Sequence, residues 1–163
     1  MAGPPTVSTL MLRNVPLFSV LPDEQLALLA RAAGRKTFPH NATVISAGDP
    51  SDALYLVVSG RLKVMMSDEE GREVILAILS AGEYFGEMSL IDDAPRSASV
   101  TAIEPCELVM ISKAEFKKCL AENSEISEAV MKVLVKRLRE ADNKIGSLAL
   151  MDVFGRVARL LME

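Results

Sequence analysis

Cysteine and histidine, the side chains that hold zinc, haem and iron–sulfur clusters, are scarce in this sequence, with two cysteines and one histidine among its 163 residues. Cys106 and Cys119 stand alone, without the paired spacing of a zinc site or the four thiolates that hold an iron–sulfur cluster. A single histidine, His40, is a weak basis for haem ligation. We therefore expect no metal or haem cofactor, and two reduced thiols.

Signals of catalysis are missing as well. His40 lies in a polar turn, no Gly-x-Ser-x-Gly elbow occurs, and neither cysteine has a histidine nearby in sequence to activate it. We therefore expect that the chain is not an enzyme.

Long apolar runs and an excess of basic charge are also absent. No run approaches the roughly 18 apolar residues that span a bilayer, and the N-terminus lacks the basic region of a signal peptide. With 18 basic and 22 acidic side chains the net charge is −4, so the chain lacks the excess of positive charge that attracts DNA. We expect a cytoplasmic protein without a membrane partner, which reaches DNA only through residues absent from this chain.

What is present, 50% apolar and 25% charged residues, is typical of a globular domain with one core. After a flexible segment over 1–14, Pro22 and the two acids that follow it predict a helix start, and Gly34 predicts the helix end. Residues 36–112 then alternate short β-rich segments with turns, which is the pattern of a sandwich or barrel. We predict an α+β domain over 15–121.

Helical periodicity returns near Lys113, with a short helix to about Ala121 and a longer one after it. In the longer one, apolar residues alternate three and four apart, which is the seam of a coiled coil, and we predict a dimerisation helix over 122–150. The predicted dimer interface comprises Met131, Leu134, Arg137, Leu138, Ala141, Ile145 and Leu148. In a parallel pair, Arg137 of one chain would meet Asp142 of the other. The alternative is a long core helix of a monomer.

A new helix is expected to begin at Asp152, whose side chain suits an N-cap. Val153, Val157 and Leu160 would form its apolar face.

The run 82–97, GEYFGEMSLIDDAPRS, has the residues that an anion site needs. Its glycines permit close backbone approach, and residues 88–91 can form one helical turn with outward amide donors. Arg96 is the only cation among several acids, and one arginine can hydrogen-bond two oxygens of a single phosphate. Glu87 cannot bind phosphate, but its carboxylate can accept from a ribose hydroxyl. A structural Glu–Arg salt bridge in a loop would produce the same pattern.

The stretch 85–100, FGEMSLIDDAPRSASV, closely resembles the phosphate-binding cassette of the cyclic-nucleotide-binding domain superfamily. Residues 58–64 and 68–71 resemble a strand and a turn of the same β-roll. Residues 144–156, KIGSLALMDVFGR, are similar to the dimer-helix end and hinge of bacterial catabolite-activator-type regulators, the cyclic AMP receptor and FNR family. The resemblance covers nearly the whole chain from about Val15. It implies an N-terminal helix, an antiparallel, jelly-roll-like β-roll and a long C-terminal helix.

The resemblance also implies roles for individual residues. Arg96 would pair with the cyclic phosphate and Glu87 with the ribose 2′-hydroxyl. The rest of the implied ligand-binding set is Gly86, Met88, Ser89, Ser97 and Ala98 around the phosphate, Val64 and Leu76 along the base and sugar, and Ala141 and Asp142 over the base. The last two depart from the adjacent Thr and Ser of the bacterial cyclic AMP receptor. Asp142 could accept from adenine or guanine, or form the interchain pair with Arg137.

By this resemblance the chain is the sensing and dimerisation domain of a bacterial transcription regulator. Cyclic AMP is the expected allosteric ligand, with cyclic GMP as a second candidate. Residues 151–163 would be a hinge and the first helix of a C-terminal helix-turn-helix domain. Two alternatives remain, namely the same fold sensing a cyclic dinucleotide or another effector, and a regulatory module of a channel or kinase.

Overall fold

The computed structural model describes residues 7–50 and 52–162 and divides into two compact units, 1–124 and 125–163. The first unit holds helices α1 Thr9–Arg13, α2 Asp23–Ala32, α3 Glu87–Asp92 and α4 Lys113–Glu122, with a 3₁₀ turn at Pro16–Phe18. Its strands are β1 Gly34–Phe38, β2 Thr43–Ile45, β3 Ala53–Ser59, β4 Leu62–Ser67, β5 Glu73–Leu79, β6 Tyr84–Phe85, β7 Ser99–Ala102 and β8 Cys106–Ser112. Helix α5, Ser124–Met162, begins at the last residue of the first unit and forms the second unit.

The N-terminal segment contains a short helix. Ser8 caps α1 by accepting a hydrogen bond from the Met11 amide at 3.2 Å, and Leu12 is fully buried. The sequence predicted a flexible segment over 1–14 and did not predict this helix; the flexibility itself stays a prediction. Residues 1–6 of that prediction lie outside the described residues.

Helix α2 follows the sequence prediction closely. Pro22 immediately precedes it, and Asp23 and Glu24 occupy its first turn, where the helix dipole favours acids. It ends at Ala32, just before Gly34 begins β1.

The strands form two four-stranded antiparallel sheets, in the orders β1-β8-β3-β6 and β2-β7-β4-β5. The core lies between them and draws on both, with buried Ile45, Val57, Leu62, Leu79, Phe85, Val100 and Leu108. The predicted antiparallel β-roll between helical segments is thereby confirmed. Short strands separated by turns, the pattern that is visible in the sequence, make up both sheets.

The edge strand β5 is mostly exposed. Val74, Ile75 and Ile78 are exposed, and only Leu79 is buried in this strand. The pairing with β4 shifts between Val64 and Met65, so that Leu76 bulges out of the ladder.

Helix α5 runs without interruption from Ser124 to Met162, about 58 Å at 1.5 Å per residue. The predicted new helix start at Asp152 is wrong, because an N-cap requires non-helical backbone and the helix continues through this residue. Asp152 instead pairs with Arg156 one turn later, at 3.0 Å. No helix among the described residues is long and apolar enough to cross a membrane.

Candidate functional site

The site is built where β6 ends and α3 begins. Gly86 joins the two elements in a left-handed conformation, with φ of 94°. This turn places Glu87 and Ser89 in the first turn of α3, and both side chains are buried. Because buried polar side chains are normally hydrogen-bonded, these two side chains indicate that the six-residue helix packs against polar groups as well as against the hydrophobic core.

Arg96 lies beneath this turn with only 5% of its surface exposed. Its Nη1 donates to the Gly86 carbonyl at 2.8 Å and to Ser89 Oγ at 3.1 Å. Its Nη2 donates to the Ala53 carbonyl at 2.6 Å. The guanidinium is therefore held by the first residues of the cassette and by the start of β3, and its position is defined without any ligand.

The backbone of Arg96 is anchored as firmly as its side chain. Its amide donates to the Asp49 carbonyl at 2.9 Å, and its carbonyl accepts from the Gly48 amide at 2.8 Å. Close by in the chain, the Ala47 amide donates to Ser99 Oγ at 2.9 Å. These bonds tie the loop before β3 to the end of the cassette.

Aromatic rings support the guanidinium from the side. Its central carbon lies 6.0 Å from the centroid of the Tyr55 ring, and that ring stacks on Phe85 at 5.1 Å with an interplanar angle of 7°. Burial, and then the nearby Asp52 carboxylate, raise the pKa of Tyr55, while Arg96 acts in the opposite direction. The Tyr55 hydroxyl is therefore neutral at physiological pH.

The other end of α3 is bound to α4. Asp93, which follows α3, forms ion pairs with Lys113 and with Lys117, the latter at 3.0 Å. Both lysines lower the pKa of the Asp93 carboxyl, by hydrogen bonding and by charge. The backbone amide of Lys113 also donates to the Asp52 carbonyl at 2.9 Å. The start of α4 thus contacts both the cassette and the loop beside Arg96.

Replacing Asp93 with Asn is expected to reduce the acid sensitivity of the fold. Because the folded-state pKa of Asp93 lies below its ordinary value, its carboxylate stabilises the protein above the ordinary pKa, and this contribution is lost as the pH falls through the folded-state pKa. Between about pH 5 and about pH 3, the melting temperature of the wild type should therefore fall further than that of the Asn variant. Equal falls in the two proteins would contradict the role of this ion pair.

The structure brings together only part of the predicted ligand-binding set. Gly86, Glu87, Ser89 and Arg96 share one small region, and Ala98 follows it half-buried. The remaining side chains are more open: Met88 and Ser97 are exposed beside the cassette, Val64 is half-buried on β4, and Leu76 is exposed on β5. Val64 pairs with Val100 of β7, the strand that begins at the end of the cassette.

The predicted residues of α5 lie in the second unit. Ala141 and Asp142 are exposed in the middle of the helix. Most of the predicted interface is exposed as well, namely Met131, Leu138, Ala141, Ile145 and Leu148, while Leu134 and Arg137 are half-buried. Their roles in base recognition and dimerisation stay predictions.

Several partners of Arg96 could not have been found from the sequence. The Ala53 carbonyl is a backbone group 43 residues away, and no residue type encodes it. Tyr55 is one of two tyrosines in the chain. Because it is far from the cassette in sequence, its contact with Arg96 could not be predicted. Only the sheet register brings β3 against β6, with Tyr55 opposite Phe85.

The fold and the site together are those of a cyclic-nucleotide-binding domain. Two sheets form a β-roll, and a buried arginine and a buried glutamate lie at the turn between β6 and α3. Residues 35–123 match the family model described as "Cyclic nucleotide-binding domain". The chain belongs to this family, and its relatives include the CRP-like regulators.

A CRP-like cAMP-activated global transcriptional regulator of Mycobacterium tuberculosis is 33% identical over 153 residues, which cover 94% of this chain and 68% of that protein. The cAMP-activated global transcriptional regulator Vfr of Pseudomonas aeruginosa is 36% identical over 133 residues, covering 79% and 62%. The crystal structure of the Thermus thermophilus catabolite activator protein matches with a TM-score of 0.73 and 35% identity, covering 82% of this chain and 63% of that one. The chain thus spans about two thirds of the length of these proteins.

Proposed function

We propose that this chain senses a cyclic mononucleotide, with cyclic AMP as the preferred ligand, for a bacterial transcription regulator. The observation that carries the proposal is the buried guanidinium of Arg96, held by three chain acceptors at the turn where the family binds phosphate. A cation fixed in this way loses little conformational entropy when an anion binds. The regulators to which the chain is similar are named as activated by cAMP, which supports the choice of base.

In this proposal one arginine pairs with the single negative charge of the phosphodiester. Arg96 supplies the cation, and the amides near Gly86, Met88 and Ala98, with the exposed hydroxyl of Ser97, complete the anion site. Glu87, buried in the first turn of α3, accepts from the ribose 2′-hydroxyl.

The charges around the cassette favour a mononucleotide over a cyclic dinucleotide. A second phosphate would need a second basic contact. Lys113 and Lys117, which lie against the end of α3, are both paired with Asp93. Base selectivity between adenine and guanine would rest on other residues, with Asp142 as one candidate acceptor and its interchain pair with Arg137 as the alternative use.

Thermal unfolding with cyclic AMP, cyclic GMP and cyclic di-GMP in parallel tests the ligand. At a concentration 100 times its dissociation constant, the true ligand should add about 2.7 kcal/mol to the free energy of unfolding, a rise of several degrees in melting temperature. A response to cyclic AMP above that to cyclic GMP supports the proposal. If none of the three nucleotides shifted the melting temperature, the proposal would be refuted. A response to cyclic di-GMP alone would mean that the ligand is a cyclic dinucleotide and not a mononucleotide.

The proposed output is a shift between two arrangements of a helical dimer. Most apolar heptad positions of α5 are exposed in the single chain, with Leu138 at 62% and Ile145 at 65%, which suits burial against a second copy. The ligand can change this dimer only if it binds one arrangement more tightly than the other. The signal would then pass along α5 to a helix-turn-helix domain outside this chain.

Leu138→Asp should convert the proposed dimer into a monomer, because it places a charge at the centre of an apolar seam. We expect the dimer dissociation constant to rise by about 100-fold or more. Sedimentation velocity over a concentration series measures the change. Ser147→Asp, an exposed position on the same helix outside the seam, is the matched control and should remain dimeric. A wild type that is monomeric with and without ligand would rule out the coiled coil.

A further inference from the structure

The side chain of Ser89 is buried and contacts Arg96. It is the third residue of α3, only 7% exposed, and its Oγ accepts from Arg96 Nη1 at 3.1 Å. The same Nη1 donates its other hydrogen to the Gly86 carbonyl at 2.8 Å. Both hydrogens of this nitrogen are therefore used by the first residues of the cassette.

The other side of the guanidinium is its Nε–Nη2 edge. Nη2 donates to the Ala53 carbonyl at 2.6 Å, and the nearest Asp52 oxygen lies 3.9 Å away, beyond hydrogen-bonding distance. None of the three side-chain hydrogen bonds of Arg96 described above involves Nε. Nε and Nη2 together form the side-on fork that matches two oxygens of a phosphate.

We infer that Ser89 is a positioning residue for phosphate recognition: by occupying Nη1, it fixes the rotation of the Arg96 guanidinium so that the Nε–Nη2 edge faces the ligand. The inference rests on the proposed function and deepens it, because it assigns Ser89 a role through Arg96 in place of direct contact with the nucleotide. A hydroxyl is suited to this role, since it accepts from the guanidinium and can still turn its own hydrogen elsewhere.

The consequence for affinity follows from the chemistry of the bond. A hydrogen bond to a charged group is stronger than a neutral one, and removing the Ser89 hydroxyl leaves one Nη1 hydrogen without its acceptor. The guanidinium keeps its bonds to the Gly86 and Ala53 carbonyls but loses the third restraint, so it rotates more easily and presents the bidentate edge only part of the time. We expect Ser89→Ala to weaken cyclic AMP binding by about 10-fold.

A double-mutant cycle separates action through Arg96 from direct contact. Isothermal titration with cyclic AMP would be run on the wild type, Ser89→Ala, Arg96→Lys and the double variant. If Ser89 acts through the guanidinium, Ser89→Ala costs about 10-fold in the wild type but less than about 2-fold in the Arg96→Lys background, where no fork remains to be oriented. Equal losses in both backgrounds would overturn the inference. Ser67→Ala, at an exposed position on β4, is the control and should bind as the wild type does.

A ligand-free measurement distinguishes failure of this inference from failure of the proposed function. Nitrogen-15 exchange spectroscopy of the arginine side chains reports rotation of the Arg96 guanidinium, which should be slow in the wild type and faster in Ser89→Ala. Unchanged rotation would overturn the inference while leaving the proposed function in place. A wild type that binds neither cyclic AMP nor cyclic GMP would overturn the proposed function, and with it any role of Ser89 in phosphate recognition, even if the rotation differed as expected.

Discussion

Replacing Arg96 with Leu is expected to abolish the thermal response to cyclic AMP and also to lower the free energy of unfolding of the ligand-free protein by about 2 to 4 kcal/mol. The first effect follows from loss of the only cation that the proposal assigns to the phosphate. The second follows from the contacts of the side chain, because Leu leaves the carbonyls of Ala53 and Gly86 and the Ser89 hydroxyl without their donor. Chemical denaturation and thermal unfolding, each with and without ligand, measure both effects.

The controls for this variant separate stability from binding. Arg61→Leu removes an arginine whose side chain is 57% exposed and whose partner is Glu104, so it should change stability by less than about 0.5 kcal/mol and leave the ligand response intact. Arg96→Lys keeps the charge but not the fork and should weaken binding with a smaller loss of stability. If Arg96→Leu still gave a shift as large as that of the wild type at equal cyclic AMP concentration, Arg96 would not be the phosphate ligand.

Gly86→Ala is expected to weaken cyclic AMP binding by at least about 10-fold, because the added methyl group forces the guanidinium out of place. A Cβ at this position would lie 2.6 Å from Arg96 Nη1 and 3.2 Å from the Ala53 carbonyl oxygen. The left-handed backbone adds strain of about 1 to 2 kcal/mol for any residue with a Cβ. Titration calorimetry and chemical denaturation would separate the loss of affinity from the loss of stability.

Gly71→Ala is the matched control for this substitution. Gly71 also has a positive φ, 81°, but a Cβ there would meet no atom within 4 Å. It should therefore show the backbone strain without the displacement of Arg96, and its affinity for cyclic AMP should equal that of the wild type. Equal affinities of the Gly86 and Gly71 variants would mean that the position of the guanidinium does not control binding.

Both predictions depend on the state of Arg96 before any ligand arrives. A surface arginine would have to give up several rotamers on binding, whereas this one is already held by three hydrogen bonds and lies beside an aromatic ring. The same bonds make the residue structural, so a single substitution at position 96 alters two properties together. This is why the tests above measure stability and binding in each variant.

The sequence predicted best where local patterns dominate. The acids after Pro22 predicted the start of α2, and the alternation of strands and turns predicted a sandwich or barrel, because both depend on neighbours in the chain. It failed at Asp152, where an N-cap residue lies inside a helix. The residues just before it, Leu148 to Met151, are strong helix formers, and no break in the backbone frees the Asp152 side chain to cap.

The α+β class and the spacing of Glu87 and Arg96 could be read from residue types in local order, and the family from the resemblance of residues 85–100 to the phosphate-binding cassette. The tertiary structure decided what Arg96 contacts: the Ala53 carbonyl, the Tyr55 ring and the hydroxyl of Ser89. Backbone carbonyls are the same in every residue, and strands far apart in sequence meet only when the sheet register sets them side by side. The orientation of the guanidinium, on which the proposed recognition of phosphate depends, is therefore a property of the folded β-roll.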